Sequence, residues 1–98
     1  MCIIALMRFE WDEEKAEKNK RKHRVSFETA IQAFNDPHRK EFIDQDHSKE
    51  EYESRFQLIG LAGARLLFVV FTETQDSIRI IHARKADKRM QRMYDESS

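Results

Sequence analysis

Six consecutive apolar residues, Leu66-Leu67-Phe68-Val69-Val70-Phe71, constrain this chain more than any other feature. A strand turns alternate side chains to opposite faces, so a run with no polar position is apolar on both and suits the middle of a sheet. The run has the length of a strand and is bounded by Ala62-Gly63-Ala64 and Gln75-Asp76-Ser77. Those turn residues predict a central strand in an antiparallel meander. Flanking stretches of period two, near 40–44 and 54–61 before it and from Ile78 to Arg84 after it, supply its companions.

Upstream the period changes to that of a helix. Residues 12–23 begin on Asp12 as candidate N-cap, carry Glu13 and Glu14 in the first turn, and end on Lys20, Arg21, Lys22 and His23, an order that suits the helix dipole. The apolar content of this helix is thin, Ala16 with Phe9 and Trp11 just before it, which predicts a surface helix anchored by the aromatics. A second helix follows Ser26 as N-cap, with Phe27, Ala30, Ile31 and Phe34 recurring at the spacing of a core-facing stripe. A third, from about Asp87 to Asp95, gathers Met90, Met93 and Tyr94 on one face while Lys88, Arg89 and Arg92 cover others. The expected fold class is α+β: two N-terminal helices, an antiparallel sheet of about four strands and a C-terminal helix.

The 98 residues have room for one domain, 1–98, whose modest core leaves function to its surface. Cys2 is the only cysteine, which rules out an intramolecular disulfide and fits a reducing, cytoplasmic setting. The apolar opening Met1 to Met7 is too short to cross a bilayer and lacks the marks of a secretory signal. It either adds an edge strand or, for residues 1–6, is an extension ahead of a start at Met7. No membrane association is expected.

The 18 basic and 18 acidic residues cancel, so overall charge does not argue for nucleic acid. Their distribution does. Residues 15–24 hold Lys15, Lys18, Lys20, Arg21, Lys22 and Arg24 against Glu17 alone, and residues 79–92 hold Arg79, Arg84, Lys85, Lys88, Arg89 and Arg92 against Asp87 alone. Residues 41–53 reverse the sign, with six acids against Lys49. One charged helix is usually a solvated face; two basic segments in so small a domain point to a polyanion.

On a regular strand, Ile78, Ile80, His82 and Arg84 line one side and Arg79, Ile81 and Ala83 the other, so Arg79 and Arg84 cannot share a face. Either arginine can fork onto a phosphate and stabilise its transition state, or form a structural salt bridge with the acidic segment. His23 is the first candidate for acid-base work, its alternative being a capping role at a helix end. Lys85 joins the candidates for phosphate stabilisation, with Arg55 behind it. Lys20, Arg21, Lys22, Lys88 and Arg92 are candidates for RNA contact. Tyr94 can stack a base, act as an acid, or pack against Met90. Asp44, Asp46 and His47 are ligand types for a divalent ion, but they read better as an exposed acidic loop. No metal or cofactor is expected. Ser26 is explained by capping, and neither it nor Cys2 is read as a nucleophile.

Phe9-Glu10-Trp11-Asp12, Lys15, Asn19, Lys22-His23, Val25-Ser26-Phe27-Glu28 and Ala30 resemble the opening signature of the BrnT family of toxins. Asp36-Pro37, Asp46-His47-Ser48, Arg55-Phe56, Ile59-Gly60, the apolar strand, Arg79-Ile80-Ile81, Ala83-Arg84, Ala86 and Tyr94 continue the resemblance from Met7 onward. It implies a RelE-like ribonuclease that cleaves RNA and is neutralised by a BrnA-type antitoxin. It also implies a complex that represses its own operon, touching operator DNA only through the antitoxin. The acidic segment then offers a dock for a basic antitoxin. Three positions depart from the pattern. Arg24 replaces a usual glycine, at a steric cost if that position is left-handed. His82 replaces a small residue such as serine, and Met90 replaces a glutamate. Two functions follow: a metal-independent endoribonuclease using acid-base catalysis, or a catalytically silent partner in a repressor complex. Met90 is the feature that favours the second.

Overall fold

The computed structural model describes residues 8–44 and 55–96. In chain order its elements are β1 (Arg8–Glu10), α1 (Glu13–His23), α2 (Phe27–Ala33), β2 (Lys40–Ile43), β3 (Arg55–Ala62), β4 (Arg65–Glu73), β5 (Ser77–Lys85) and α3 (Lys88–Glu96). Each helix starts on a side chain that accepts amide protons its first turn leaves free. Asp12 accepts from the amides of Glu14 at 2.8 Å and Lys15 at 3.2 Å. Ser26 accepts from Thr29 at 3.0 Å, and Asp87 from Met90 at 2.9 Å.

The sheet runs β1-β5-β4-β3-β2. Strands β2 to β5 form the expected antiparallel meander, with β4 central between β3 and β5. The expectation of about four antiparallel strands is corrected by β1, which pairs parallel to β5 from Arg8 against Ser77 to Glu10 against Arg79. Three residues are too few to display a period of two, and a parallel partner almost seventy residues away leaves no local trace. The β3–β4 turn places Gly63 at φ 64°. A positive φ at the first central position alone is the type II′ pattern that suits the twist of a two-residue hairpin.

One face of the sheet packs Leu58, Leu67, Val69, Phe71, Ile78, Ile80 and Ala83 against Val25, Phe27, Ala30 and Ala33, with Phe9, Trp11 and Phe34 closing the margin. Burying Phe27 completely contributes on the order of 2–3 kcal/mol. On the other face Ile59, Phe68 and Ala86 meet Met90, Met93 and Tyr94 of α3. Strand β4 is thus covered on both sides, which accounts for its unbroken apolar run. Gly60 lets α2 approach β3 closely, since a Cβ there would lie 2.6 Å from the Ala33 carbonyl oxygen.

The first helix sits beside the sheet and buries only Asn19. It ends at Arg24, which adopts φ 60°, ψ 32° and donates its amide to the Lys20 carbonyl at 2.8 Å. The left-handed cap is therefore kept although the residue is arginine, at a cost of roughly 1–2 kcal/mol.

Candidate functional site

Strand β5 carries one residue more than β4 at its middle. Phe71 pairs with Ile80 and Val70 with His82, leaving Ile81 as a β-bulge. The bulge shifts the parity of everything after it. Ile78, Ile80 and Ala83 all enter the core beneath the first two helices. Arg79, His82 and Arg84 pair with Thr72, Val70 and Phe68, alternate residues of β4, and so share the opposite face. This corrects the regular-strand expectation that Arg79 and Arg84 lie on different faces; hydrophobic periodicity does not reveal a single inserted residue.

The same registers extend these rows across the sheet. Arg55, Thr72 and Arg79 form one row, and Phe42, Gln57, Val70 and His82 the next. The Arg84 guanidinium lies 4.9 Å from the centroid of the Phe68 ring, a cation–π contact that holds it against the sheet. Arg79 stands 3.9 Å from Glu10 with both side chains about half exposed, a contact of little energetic consequence. Among the described residues, the acidic partner of Arg79 is thus on β1.

At the outer edge of β5, His23 meets His82 with ring centroids 4.9 Å apart and planes at 81°. The two rings border a shallow notch of 210 Å³, whose α1 wall is Lys15, Lys18, Asn19 and Lys22 and whose strand wall includes Ile81. Positions 15, 18, 19 and 22 recur with the helical period and so share one face of α1. Burial holds the His82 pKa below its usual 6.5, and the charges of His23, Arg84 and Lys22 lower it further. His82 therefore favours the neutral imidazole, a proton acceptor, at neutral pH.

Of the candidates read from the sequence, the structure gathers His23 and Lys22 at the notch, and Arg79, Arg84 and Arg55 on the adjoining sheet face. Lys20 and Arg21 border a separate hollow with Glu17 and Arg24 on another side of α1. Lys85 is exposed at the end of β5, and Lys88 and Arg92 are exposed on α3. Tyr94 stands apart, its hydroxyl donating to Asp36 Oδ2 at 2.5 Å and its pKa pushed up to about 12 by that bond, by burial and by nearby carboxylates. Met90 packs against the Ile59–Phe68 cluster. Asp44 is buried, with its amide donating to the Arg55 carbonyl at 2.7 Å, while Asp46 and His47 lie outside the described residues. Among the described residues no three carboxylate, imidazole or thiol groups converge as metal ligands.

Three residues that border the notch, His82, Lys15 and Lys18, were not among the site candidates read from the sequence. The lysines were findable by applying the helical period to charges as well as to apolar positions. Nothing local marked His82 beyond its standing where a small residue is usual.

Among the described residues no helix is long and apolar enough to cross a membrane. The chain shares its fold with a solved ribonuclease toxin: the crystal structure of BrnT from Brucella abortus superposes with a TM-score of 0.63 at 23% identity, over 84% of this chain and 99% of that one. The model of the family described as ribonuclease toxin, BrnT, of type II toxin-antitoxin system matches residues 11–89, and this chain belongs to that family. No curated protein sequence matches it significantly.

Proposed function

We propose that this chain is a cytoplasmic endoribonuclease toxin of RelE-like kind, a single domain over 1–98, that cleaves RNA by metal-independent acid-base catalysis. The observation that carries the reading is the bulge at Ile81, which aligns Arg79, His82 and Arg84 on one face beside His23. Cleavage of RNA without a metal needs a base for the 2′-hydroxyl, cations for the phosphate and an acid for the departing 5′-oxygen. His23 is suited to proton transfer, and Arg79, Arg84 and Lys85 to phosphate stabilisation. Lys22, Arg55, Lys88 and Arg92 extend a basic track for the RNA backbone, Lys20 and Arg21 add to the positive field from another side of α1, and Tyr94 offers only its ring, since its hydroxyl is engaged. The need for a 2′-hydroxyl restricts the substrate to RNA.

Family membership supports an antitoxin partner. In this reading a BrnA-type antitoxin silences the toxin, which otherwise inhibits translation and growth, and the complex reaches operator DNA only through the antitoxin. The test is incubation of purified protein with end-labelled RNA and matched DNA in chelator, beside Arg79→Ala, Arg84→Ala and His23→Ala. RNA-only cleavage that survives chelator and fails in the variants supports the proposal. Intact RNA with the wild type would remove the autonomous nuclease and leave a ribosome-dependent enzyme or the silent partner of a repressor complex.

A further inference from the structure

The notch between α1 and β5 combines features that neither element has alone. Three lysines at positions 15, 18 and 22 project from one face of a helix, and two imidazoles in contact close the far side. The volume of 210 Å³ is several times the share of a water molecule, about 30 Å³, so a phosphate group can enter. We propose that this notch is the phosphodiester-cleaving centre, with His82 as general base, His23 as the acid that completes the transfer, and Lys15, Lys18 and Lys22 as the phosphate cradle. The assignment deepens the ribonuclease reading and rests on it.

The neutral His82 takes the 2′-hydroxyl proton as that oxygen bonds to phosphorus. The bond from phosphorus to the 5′-oxygen breaks, and this oxygen leaves with a proton from the His23 imidazolium. The products are a 2′,3′-cyclic phosphate and a 5′-hydroxyl. The proton gained by His82 balances the one lost by His23, and the starting state returns by exchange between adjacent rings or with solvent. Two imidazolium charges at this separation repel, so the geometry disfavours the doubly protonated pair, in which His82 could not act as a base.

Among the described residues, the side chains that bear on His82 from α1 are Lys15, Lys18, Lys22 and the His23 imidazole, and from its own strand Arg84, with no carboxylate among them. Strand β4 contributes Val70 and Phe68, which carry no charge. The surroundings therefore favour the basic form of His82 and at the same time attract the phosphate. Bound phosphate would offset part of that positive field and raise the proton affinity of His82 as the reaction demands.

The experiment is a pH–rate profile of RNA cleavage by the full chain and by His82→Gln and His82→Ser, with circular dichroism confirming that both variants fold. Alongside it, histidine ring resonances are followed by NMR on adding a non-cleavable 2′-O-methyl dinucleotide. We expect kcat to fall about 10²–10⁴-fold in both variants with KM changed only a few-fold. The acid limb of the kcat/KM profile should disappear, cyclic-phosphate ends should form with the wild type, and the dinucleotide should shift His23 and His82 but not His38. If the variants cleave at the wild-type rate with the same acid limb, the assignment of His82 is overturned while the ribonuclease reading stands. If the wild type leaves RNA intact and no histidine shifts, both fall.

Discussion

The side-chain amide of Asn19 pairs with both backbone groups of Ala83, as a neighbouring strand would. Its nitrogen donates to the Ala83 carbonyl at 2.8 Å and its oxygen accepts from the Ala83 amide at 3.1 Å. A second proton of the same nitrogen goes to the Val25 carbonyl at 2.9 Å. Strand β1 covers β5 only from Ser77 to Arg79, so farther along the edge a helix supplies the missing partner. One buried carboxamide thus fixes where α1 lies, and with it the approach of His23 to His82.

Asn19→Ala should therefore be costly although it removes a small side chain from a surface helix. It orphans an amide and removes a donor from two carbonyls, which predicts a loss of about 2–4 kcal/mol. In a domain of this size that is a fall in Tm of roughly 10–25 °C. Chemical denaturation measures it, and a loss below about 0.5 kcal/mol would show that α1 is held by other contacts.

Arg24→Gly should act in the opposite direction. The left-handed backbone at φ 60° disfavours a Cβ, and glycine removes that penalty. Arg24 presents its carbonyl to Arg65 at 3.3 Å, a backbone contact the substitution keeps. A gain of about 1 kcal/mol is expected in denaturant unfolding. An unchanged or lowered midpoint would mean that the arginine side chain contributes more than its backbone strain costs.

Much of the fold was legible because its signals are local. Asp12 and Ser26 announce helix starts by chemistry that operates within three residues, and the Leu66–Phe71 run announces a doubly covered strand by composition. The same reasoning failed where two distant parts of the chain decide the outcome. Arg8–Glu10 becomes a strand only because β5 offers a parallel edge, and Asn19 is buried only because Ala83 lies opposite. The site suffered most. Arg79, His82 and Arg84 align through one unpaired residue, Ile81, whose apolar side chain reads in sequence as an ordinary strand position. His23 was legible as a candidate by residue type, but its partner depended on that hidden change of register.

Tyr94 and Asp36 make a pH-dependent clasp between α3 and the rest of the fold. Burial tends to raise the Asp36 pKa, but hydrogen bonds from the Tyr94 hydroxyl and the amides of Leu61 and His38 outweigh it, so the net shift is downward. Stability from Asp36 is present above its ordinary value of 3.8 and is lost as pH falls through the depressed folded value. For Tyr94, raised from 10.0 to about 12, the contribution is full below pH 10 and is lost as pH rises toward 12. Spectrophotometric titration should place one phenol near 12. Tyr94→Phe should remove that step and cost about 1–2 kcal/mol at neutral pH. A wild-type phenol titrating at 10 would contradict the clasp.

Salt dependence separates the two sides of α1. Lys15 and Lys18 border the notch, whereas Lys20 and Arg21 border a different hollow, so equal charge changes should have unequal effects on RNA affinity. Each phosphate contact with a single strand contributes about 0.7 to the slope of log K against log salt. The pair Lys15→Ala and Lys18→Ala should therefore flatten the slope by about 1.4 for a non-cleavable 2′-O-methyl oligonucleotide. Lys20→Ala with Arg21→Ala removes as much charge but should change the slope by less than half of that, because those side chains act on the bound strand only through a screened field. Equal slopes in the two double variants would mean that RNA reads the net charge of the helix and not its geometry, and would move the phosphate cradle away from the notch.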